Sequence, residues 1–296
     1  LSGAASGDEF WIAKGVYRPV IPASADAIST VEQGKSFTLG NGVALYGGFV
    51  GSETAREQRD PDKHCVVLTG DLGLDDGRDA RGVTLSADVI RGTNSKSVLK
   101  GAKVKGVRLD GIAVSGGDQG VGAGLSLGRS DVVIQNCLFQ GNRAVTFGGG
   151  INAAAASLDI RSSRFVENRG GPNSHGGAIA TVLSNLRLVD CRFEGNVTGA
   201  DKPGNKAGNG GAVYFGDKNT STATLFVERS HFSNNSAGAG GGGLYVQNVG
   251  LNARARGSAT VRETVFKGNR TAHNGGAVRF STSTNILVED CLFADN

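Results

Sequence analysis

Four aspartates stand close together in the segment GDLGLDDGRDARG, residues 70–82: Asp71, Asp75, Asp76 and Asp79. Calcium takes several oxygen ligands, and a flexible loop with this many carboxylates can supply them. The spacing does not match an EF-hand loop, and aspartate is also a common turn residue in solvated loops. The segment therefore predicts either a calcium site on these aspartates or a solvated loop that needs no cofactor.

Basic residues are a second set that could bind a ligand, and they lie in three polar segments of loop composition. These segments are VTGADKPGNKAGN (197–209), GDKNTSTAT (216–224) and QNVGLNARARGS (247–258). Their basic residues are Lys202, Lys206, Lys218, Arg254 and Arg256. Because binding residues concentrate on loops held by a rigid scaffold, we expect a recognition surface here for a protein or an acidic glycan.

The scaffold for such loops is indicated by a six-residue phrase that recurs six times. It reads CLFQGN at 137–142, CRFEGN at 191–196 and CLFADN at 291–296, and SRFVEN, SHFSNN and TVFKGN are looser copies. The copies share a phenylalanine and, three residues later, an asparagine. The phenylalanines are Phe139, Phe165, Phe193, Phe232, Phe266 and Phe293, and the asparagines include Asn142, Asn168, Asn196, Asn235 and Asn269. Recurrence of this kind predicts a repeat architecture.

Each repeat contains three short strand patterns and no helical pattern. Apolar residues alternate before the phenylalanine, the phase breaks once, and the alternation resumes, which indicates two strands joined by a tight turn. A third strand follows a pair of glycines, as in GGAIAT (176–181) and GGAVYF (210–215). Three strands per repeat with variable loops predict an all-β fold, a right-handed parallel β-helix of about nine or ten coils spaced about 4.8 Å apart.

Stacked coils place like residues on like residues. The phenylalanines are then expected to form an interior stack and the asparagines a ladder of side-chain amides. Cys137 and Cys191 would occupy one column two coils apart, about 9.6 Å, which is too far for a disulfide. We therefore expect free core thiols rather than a disulfide framework.

Residues 1–111 are less regular than residues 112–296. Strand candidates there are EFWIA (9–13), SFTL (36–39), VALYGGF (43–49), HCVVLTG (64–70), GVTLSA (82–87) and SVLKG (97–101). We interpret this region as irregular N-terminal coils and a cap, continuous with the regular repeats of 112–296. The two regions would form one structural domain, which we take for a fragment of a longer chain.

Several stretches carry a resemblance to a known group of proteins. GDEFWIAKGVYRP, KSFTLGNGVALYGGFVGSETAREQRD, VVLTGDL and VRLDGIAVSGGD, together with the C-x-F-x-x-N and Gly-Gly repeats, are similar to those of bacterial secreted and surface β-helix proteins with polymorphic outer membrane protein repeats. The resemblance implies a parallel β-helix in an extracytoplasmic setting, at the cell surface, associated with the outer membrane or secreted. It carries over no catalytic residue.

Enzymatic chemistry has little support in the predicted Gly-Gly sheet. Glycoside hydrolysis needs two carboxylates about 5 to 9 Å apart, whereas the residues after the glycines read LSLG, INAA, AIAT, AVYF, LYVQ and AVRF, with Arg279 as their one ionisable side chain of the Asp, Glu, His, Lys or Arg type. Charges at the turn before the phenylalanine mostly alternate in sign, as in Asp190–Arg229–Glu263 and Glu228–Arg262–Glu289, which favours ion pairs between coils. We expect no catalytic residues in the sheet.

Composition excludes some function classes. The chain has 296 residues with a net charge of +4 and no run of basic residues, so nucleic acid is not indicated. It also contains no stretch of 18 apolar residues, so no transmembrane segment is expected. The preferred function is a non-catalytic cell-surface scaffold or adhesin. The alternatives are a polysaccharide lyase or glycoside hydrolase acting on an acidic polysaccharide, and a structural subunit of an extracellular assembly that forms by self-association.

Overall fold

The computed structural model describes residues 3–20, 30–199, 207–216, 222–247 and 257–296. Within these residues, three long sheets of nine, nine and eight strands run along the molecule. Neighbouring strands in each long sheet are parallel, and each comes from a successive coil. This arrangement confirms the predicted right-handed parallel β-helix.

Strands are numbered in chain order, and each coil contributes one strand to each long sheet in turn. Sheet 1 contains β1 (Glu9–Ala13), β4 (Ala44–Phe49), β7 (Val107–Asp110), β11 (Asp131–Gln135), β15 (Ser157–Arg161), β18 (Asn185–Val189), β22 (Thr224–Glu228), β26 (Ser258–Arg262) and β30 (Ile286–Glu289).

Sheet 2 holds the phenylalanine of the repeated phrase. Its strands are β2 (Gly15–Tyr17), β5 (Val66–Thr69), β8 (Ile112–Ser115), β12 (Leu138–Gln140), β16 (Arg164–Val166), β19 (Arg192–Glu194), β23 (His231–Ser233), β27 (Val265–Lys267) and β31 (Leu292–Ala294).

Sheet 3 follows the glycine pairs and contains β3 (Phe37–Thr38), β6 (Leu99–Ala102), β10 (Leu125–Gly128), β14 (Ile151–Ala154), β17 (Ile179–Val182), β21 (Val213–Gly216), β25 (Leu244–Gln247) and β29 (Val278–Ser281). Two smaller sheets lie between sheets 2 and 3. They pair β9 (Asp118–Gly120) with β13 (Arg143–Ala144), and β20 (Val197–Thr198) with β24 (Ser236–Ala237) and β28 (Arg270–Thr271).

Helical structure in the described residues is confined to three short pieces. They are α1 (Thr30–Gln33) and the 3₁₀ turns Arg56–Gln58 and Ala87–Val89. The prediction of a strand over 82–87 is therefore wrong. In this segment Thr84 makes one antiparallel bridge to Arg78, and the 3₁₀ turn begins at Ala87. Ser86 caps this turn by accepting a hydrogen bond from the Asp88 amide.

Left-handed residues form the corners of each coil. The residue three before the phenylalanine has positive φ in every regular coil, with values from 44° at Arg229 to 54° at Asp190. The residue two after the phenylalanine and the first glycine of the glycine pair do the same, for example Gly195 at 62° and Gly176 at 67°. A Cβ on Gly176 would lie 2.0 Å from the Ile179 carbonyl oxygen, so this corner requires glycine.

The interior of the rod is filled by two columns of identical side chains. Consecutive phenylalanine rings are stacked with centroids 4.5 to 5.2 Å apart from Phe139 to Phe293. Beside them, each asparagine Nδ2 donates to the Oδ1 of the next asparagine at 2.8 to 3.0 Å, from Asn142 to Asn296. From Asn168 onward, the same Nδ2 also donates to the phenylalanine carbonyl of the preceding coil, as Asn168 does to Phe139, whereas Asn142 donates to the Val114 carbonyl.

The cysteines are free thiols, as expected from the coil spacing. Cys137 and Cys191 are buried in the column two residues before the phenylalanine, which Ser163 and Ser230 share. Burial raises the pKa of both buried thiols to about 12, so they stay protonated and act as small core side chains. Each cysteine amide donates to the serine hydroxyl of the next coil at 3.1 Å.

Candidate functional site

A groove of about 710 Å³ lies on the outer face of sheet 2 near its N-terminal coils. Its floor is formed by Ile112, Ala113 and Leu138 of β8 and β12, and by the adjoining corner residues Asn136 and Ser162. The segment between β4 and β5 and the loop between β5 and β6 supply the remaining lining. The guanidinium groups in the lining belong to Arg56, Arg59, Arg81 and Arg164.

Two of these arginines hold in place one wall of the groove, the segment between β4 and β5. Arg59 binds the buried carboxylate of Asp110 at 2.8 Å and also donates to the Gly47 carbonyl. Arg56 pairs with Glu9 at 2.9 Å and donates to the hydroxyl of Tyr46, and both guanidinium groups lie over the Tyr46 ring. Arg56 and Arg59 therefore fasten the segment between β4 and β5 against sheet 1.

The other two arginines are more available to a ligand. Arg81 donates to Asp79 through Nε at 2.8 Å, and about half of its side chain is exposed (49 %). Arg164 begins β16 and is exposed, and no described carboxylate forms an ion pair with it. The groove thus has two anchored guanidinium groups at its wall and two reachable ones at its mouth.

An arginine ladder continues from the groove along sheet 2; it consists of Arg164, Arg192 and the neighbouring His231. The three residues are in register on adjacent strands β16, β19 and β23. All three side chains are exposed, and Arg192 also has no ion-pair partner among the described residues. Sequence reasoning did not single out this ladder, although it can be read from the position directly before each phenylalanine.

Charged side chains at the turn before the phenylalanine differ from the ladder, because several of them form ion pairs with one another. Arg229 pairs with Asp190 of the preceding coil at 2.9 Å and with Glu228 at 2.7 Å, and Arg262 binds Glu228 from the following coil. The Arg262 hydrogen bond holds the pKa of Glu228 below its usual range. The expected alternation thus forms ion pairs at Asp190–Arg229 and Glu228–Arg262. Within the described residues, Glu263 and Glu289 do not extend it.

The aspartate segment folds into a compact acidic cluster. Carboxylate oxygens of Asp71, Asp75 and Asp76 lie within 4.8 Å of one another. Asp71 and Asp76 are buried, and burial raises the pKa of both, that of Asp76 to about 6. Asp79 does not belong to this cluster, since its carboxylate binds Arg81 and the Val83 amide. Calcium binding by the first three residues stays a prediction.

Internal donors already bind the two buried carboxylates. Asp71 accepts from the amides of Asp75 and Asp76, each at 3.1 Å. Asp76 accepts from the Arg91 amide, the Thr84 hydroxyl and the Asn94 amide group. These bonds fold the loop around the cluster, and they account for its shape without a ligand.

The outer face of sheet 3 carries aromatic rings that the sequence did not bring to notice. His175 stacks on Tyr214 with centroids 4.4 Å apart, Tyr214 stacks on Tyr245, and the Arg279 guanidinium lies 5.6 Å from the Tyr245 ring centre. Both tyrosines are buried, and burial lowers the pKa of His175. The stack packs this face of the sheet, and the neutral form of His175 is favoured there.

The five basic residues predicted for recognition lie outside the described residues. They are Lys202, Lys206, Lys218, Arg254 and Arg256. A surface for protein or acidic glycan on these segments therefore stays a prediction.

Comparison with known proteins finds one family. Residues 230–247 match the model of the Chlamydia polymorphic membrane protein repeat. The matched segment runs from Ser230 to Gln247 and contains SHFSNN and the following GGGLYV. No curated protein and no solved structure matches the chain. The chain therefore carries repeats of the polymorphic membrane protein type on a parallel β-helix, which points to a bacterial surface-associated or outer-membrane-associated protein. Among the described helices, none has the length and hydrophobicity to cross a membrane.

Proposed function

We propose that this protein is a non-catalytic recognition scaffold or adhesin of the bacterial cell surface. One observation carries the proposal: the repeat that matches the polymorphic membrane protein model is the unit that fills the rod. Phe232 and Asn235 of that repeat are fully buried members of the phenylalanine stack and asparagine ladder. A rod packed solid in this way leaves its outer faces and loops as the surfaces that can meet a partner.

The distribution of charge supports a binding function over a catalytic one. Glycoside hydrolysis requires two carboxylates that a substrate can reach. Among the described residues, three carboxylates gather within 4.8 Å only at Asp71, Asp75 and Asp76, and two of the three are buried under their own hydrogen bonds. The groove instead offers guanidinium groups, which bind anions but neither protonate nor attack a glycosidic bond.

Three measurements on the full-length protein test the proposal. Antibody labelling and protease treatment of intact cells should reach the protein, since a surface location is proposed. Incubation with acidic and neutral polysaccharides, with calcium and with a chelator, should give neither unsaturated uronate absorbance nor new reducing ends. Product formation would replace the scaffold by the lyase or hydrolase alternative. Concentration-dependent assembly in sedimentation would favour the structural subunit.

A further inference from the structure

We infer that the mouth of the groove and the arginine ladder together bind a linear acidic glycan. The site consists of Arg81 and Arg164 at the groove and Arg192 and His231 on the next two coils. This inference rests on the proposed recognition function and names its ligand class.

The first argument is that the ladder opposes the stability of its own sheet. Like charges directly opposite each other on neighbouring strands are destabilising, and strands in this sheet are spaced about 4.8 Å apart. Arg164 and Arg192 are such a pair, and neither has an ion-pair partner among the described residues. Two residues before the ladder position, Asp190 and Arg229 form an ion pair at 2.9 Å between the coils of Arg192 and His231. A local rule broken without a structural compensation indicates a functional site.

The second argument is continuity between the ladder and the groove. Arg164 belongs to both, because it lines the groove and occupies the first rung of the ladder. Leu138 precedes it in the same column and forms part of the groove floor. A chain that enters beside Arg81 can therefore lie across β12, β16, β19 and β23 and reach Arg164, Arg192 and His231 on successive coils.

The third argument concerns the ligand. Arginine presents a planar fork of donors that matches carboxylate and sulfate-like oxyanions. The described lining contains no Phe, Tyr or Trp, so it lacks the stacking platform by which single-stranded nucleic acids are held. It also lacks the aromatic anchor that dominates most protein–protein interfaces. A glycan with an anionic group on successive sugars supplies what the ladder requires, namely negative charge repeated along a line.

Acidic residues in the lining do not cancel this site. Glu57 lies 3.6 Å from Arg56, on the wall that is already fastened to sheet 1. Asp79 binds Arg81 through Nε and one terminal nitrogen, and the side chain stays half exposed. Asp62 is exposed and makes no ion pair with a described residue. The guanidinium groups of Arg164 and Arg192 make no hydrogen bond or ion pair with a described residue, which leaves their donors to a ligand.

The test measures binding of the full-length protein to four immobilised polymers: heparin, polygalacturonate, neutral dextran and poly-L-glutamate. The ladder variant is Arg164→Gln/Arg192→Gln. The control variant, Arg129→Gln/Arg270→Gln, removes two positive charges that are also exposed and lie elsewhere on the rod. Circular dichroism and the midpoint of thermal unfolding establish that both variants fold.

We expect binding to at least one acidic glycan, which weakens with added salt. The ladder variant should lose about tenfold or more in affinity, as expected for two lost charge-assisted contacts. The control should lose less than about threefold, because it changes only the long-range charge. Equal losses in both variants would overturn the site. Equally tight binding to poly-L-glutamate would replace the glycan by an acidic protein.

Failure of this inference is distinguishable from failure of the proposed function. A protein that labels on intact cells and produces no cleavage, but binds none of the acidic glycans, keeps its scaffold function and loses this ligand. Cleavage of a bound glycan would do the opposite, since it would keep the binding site and overturn the non-catalytic function.

Discussion

The inside and the outside of this rod follow different rules. Inside, each column repeats one residue type, so that Phe193 meets a phenylalanine on both sides and Asn196 meets an asparagine on both sides. Outside, each column changes from coil to coil, and the same repeat carries an ion-paired side chain at Asp190 and a cation without an ion pair to a described residue at Arg192. Arg192 takes no part in the interior columns or in the ion pairs between described residues, so its charge can serve a ligand.

The largest loss of stability is expected at an interior phenylalanine, and a phenylalanine on the outer face serves as its comparison. Phe193 is fully buried between rings 4.9 and 4.5 Å away, so Phe193→Ala should lower the free energy of unfolding by about 3 to 5 kcal/mol. Phe226 lies on the outer face of sheet 1 between the guanidinium groups of Arg187 and Arg262. Phe226→Ala should cost about 1 to 2 kcal/mol. Chemical denaturation measures both, and equal losses would contradict the division between inside and outside.

The asparagine ladder should come next. Asn196→Ala removes the acceptor for two buried donors of Asn168, its amide and its Nδ2 at 3.1 and 3.0 Å. Each unsatisfied buried donor costs about 1 to 3 kcal/mol, so we expect a loss of about 3 kcal/mol in total. Asn136→Ala is the outer control, since that side chain binds Asp110 at the groove rather than the ladder. A loss for Asn196→Ala no larger than that of the control would exclude the ladder as a main source of stability.

The acidic cluster predicts a pH effect of opposite sign to ordinary acid denaturation. Asp76 has a pKa of about 6 in the folded protein, against 3.8 for the unfolded reference, because burial favours its protonated form. Its contribution to stability is therefore complete below pH 3.8 and decreases as the pH rises to about 6. The loss is up to about 3 kcal/mol. We expect wild type and Asp76→Asn to converge at low pH and to separate above pH 6, with the variant more stable.

Added calcium provides a second test of wild type against Asp76→Asn. A cation at Asp71, Asp75 and Asp76 would stabilise their ionised forms, and a ligand at 100 times its Kd adds about 2.7 kcal/mol. At pH 7 the midpoint of unfolding should then rise with added calcium chloride in wild type and stay constant in Asp76→Asn. Asp79→Asn is the matched control and should respond like wild type, because Asp79 lies outside the cluster. An unchanged wild-type midpoint would exclude calcium and leave the segment as a loop that its own hydrogen bonds fold.

The smallest effects are expected from the outer charges. Arg229→Gln breaks the pairs with Asp190 and Glu228, and it should lower the free energy of unfolding only slightly, because the Asp190 pair is exposed and Glu228 keeps its partner Arg262. Arg192→Gln removes one member of a like-charged pair, so stability should stay equal or rise by a few tenths of a kcal/mol. Thermal unfolding at low ionic strength compares the two. A marked loss for Arg192→Gln would mean that this arginine has a structural contact, and would weaken its assignment to a ligand site.

Most of the regular rod was predictable because its signal is local and repeated. Alternation around Phe139, Phe165 and Phe193 specifies two strands and their inward side chains in each coil, and the stack follows when like coils lie on one another. The prediction of a strand over 82–87 was wrong because its signal is not repeated. That segment has no equivalent in the other coils, and the internal hydrogen bonds of the aspartate loop decided its structure.

The candidate site was less predictable than the fold. Reading the position before each phenylalanine could have found Arg164 and Arg192, because the register of the repeat makes them neighbours. Arg81 offered no such signal. It stands 83 residues before Arg164 in the chain, and both line one groove only because two irregular loops lie over sheet 2.

The sequence by itself therefore determined the class of fold, the interior columns and the free state of the cysteines, since a fixed repeat places identical side chains at one coil spacing. Only the tertiary structure decided which outer charges form ion pairs and that Asp79 binds Arg81 instead of joining the acidic cluster. It also decided that a groove forms beside the arginine ladder. These contacts join residues from loops of unequal length, and their meeting depends on how each loop packs against the rod.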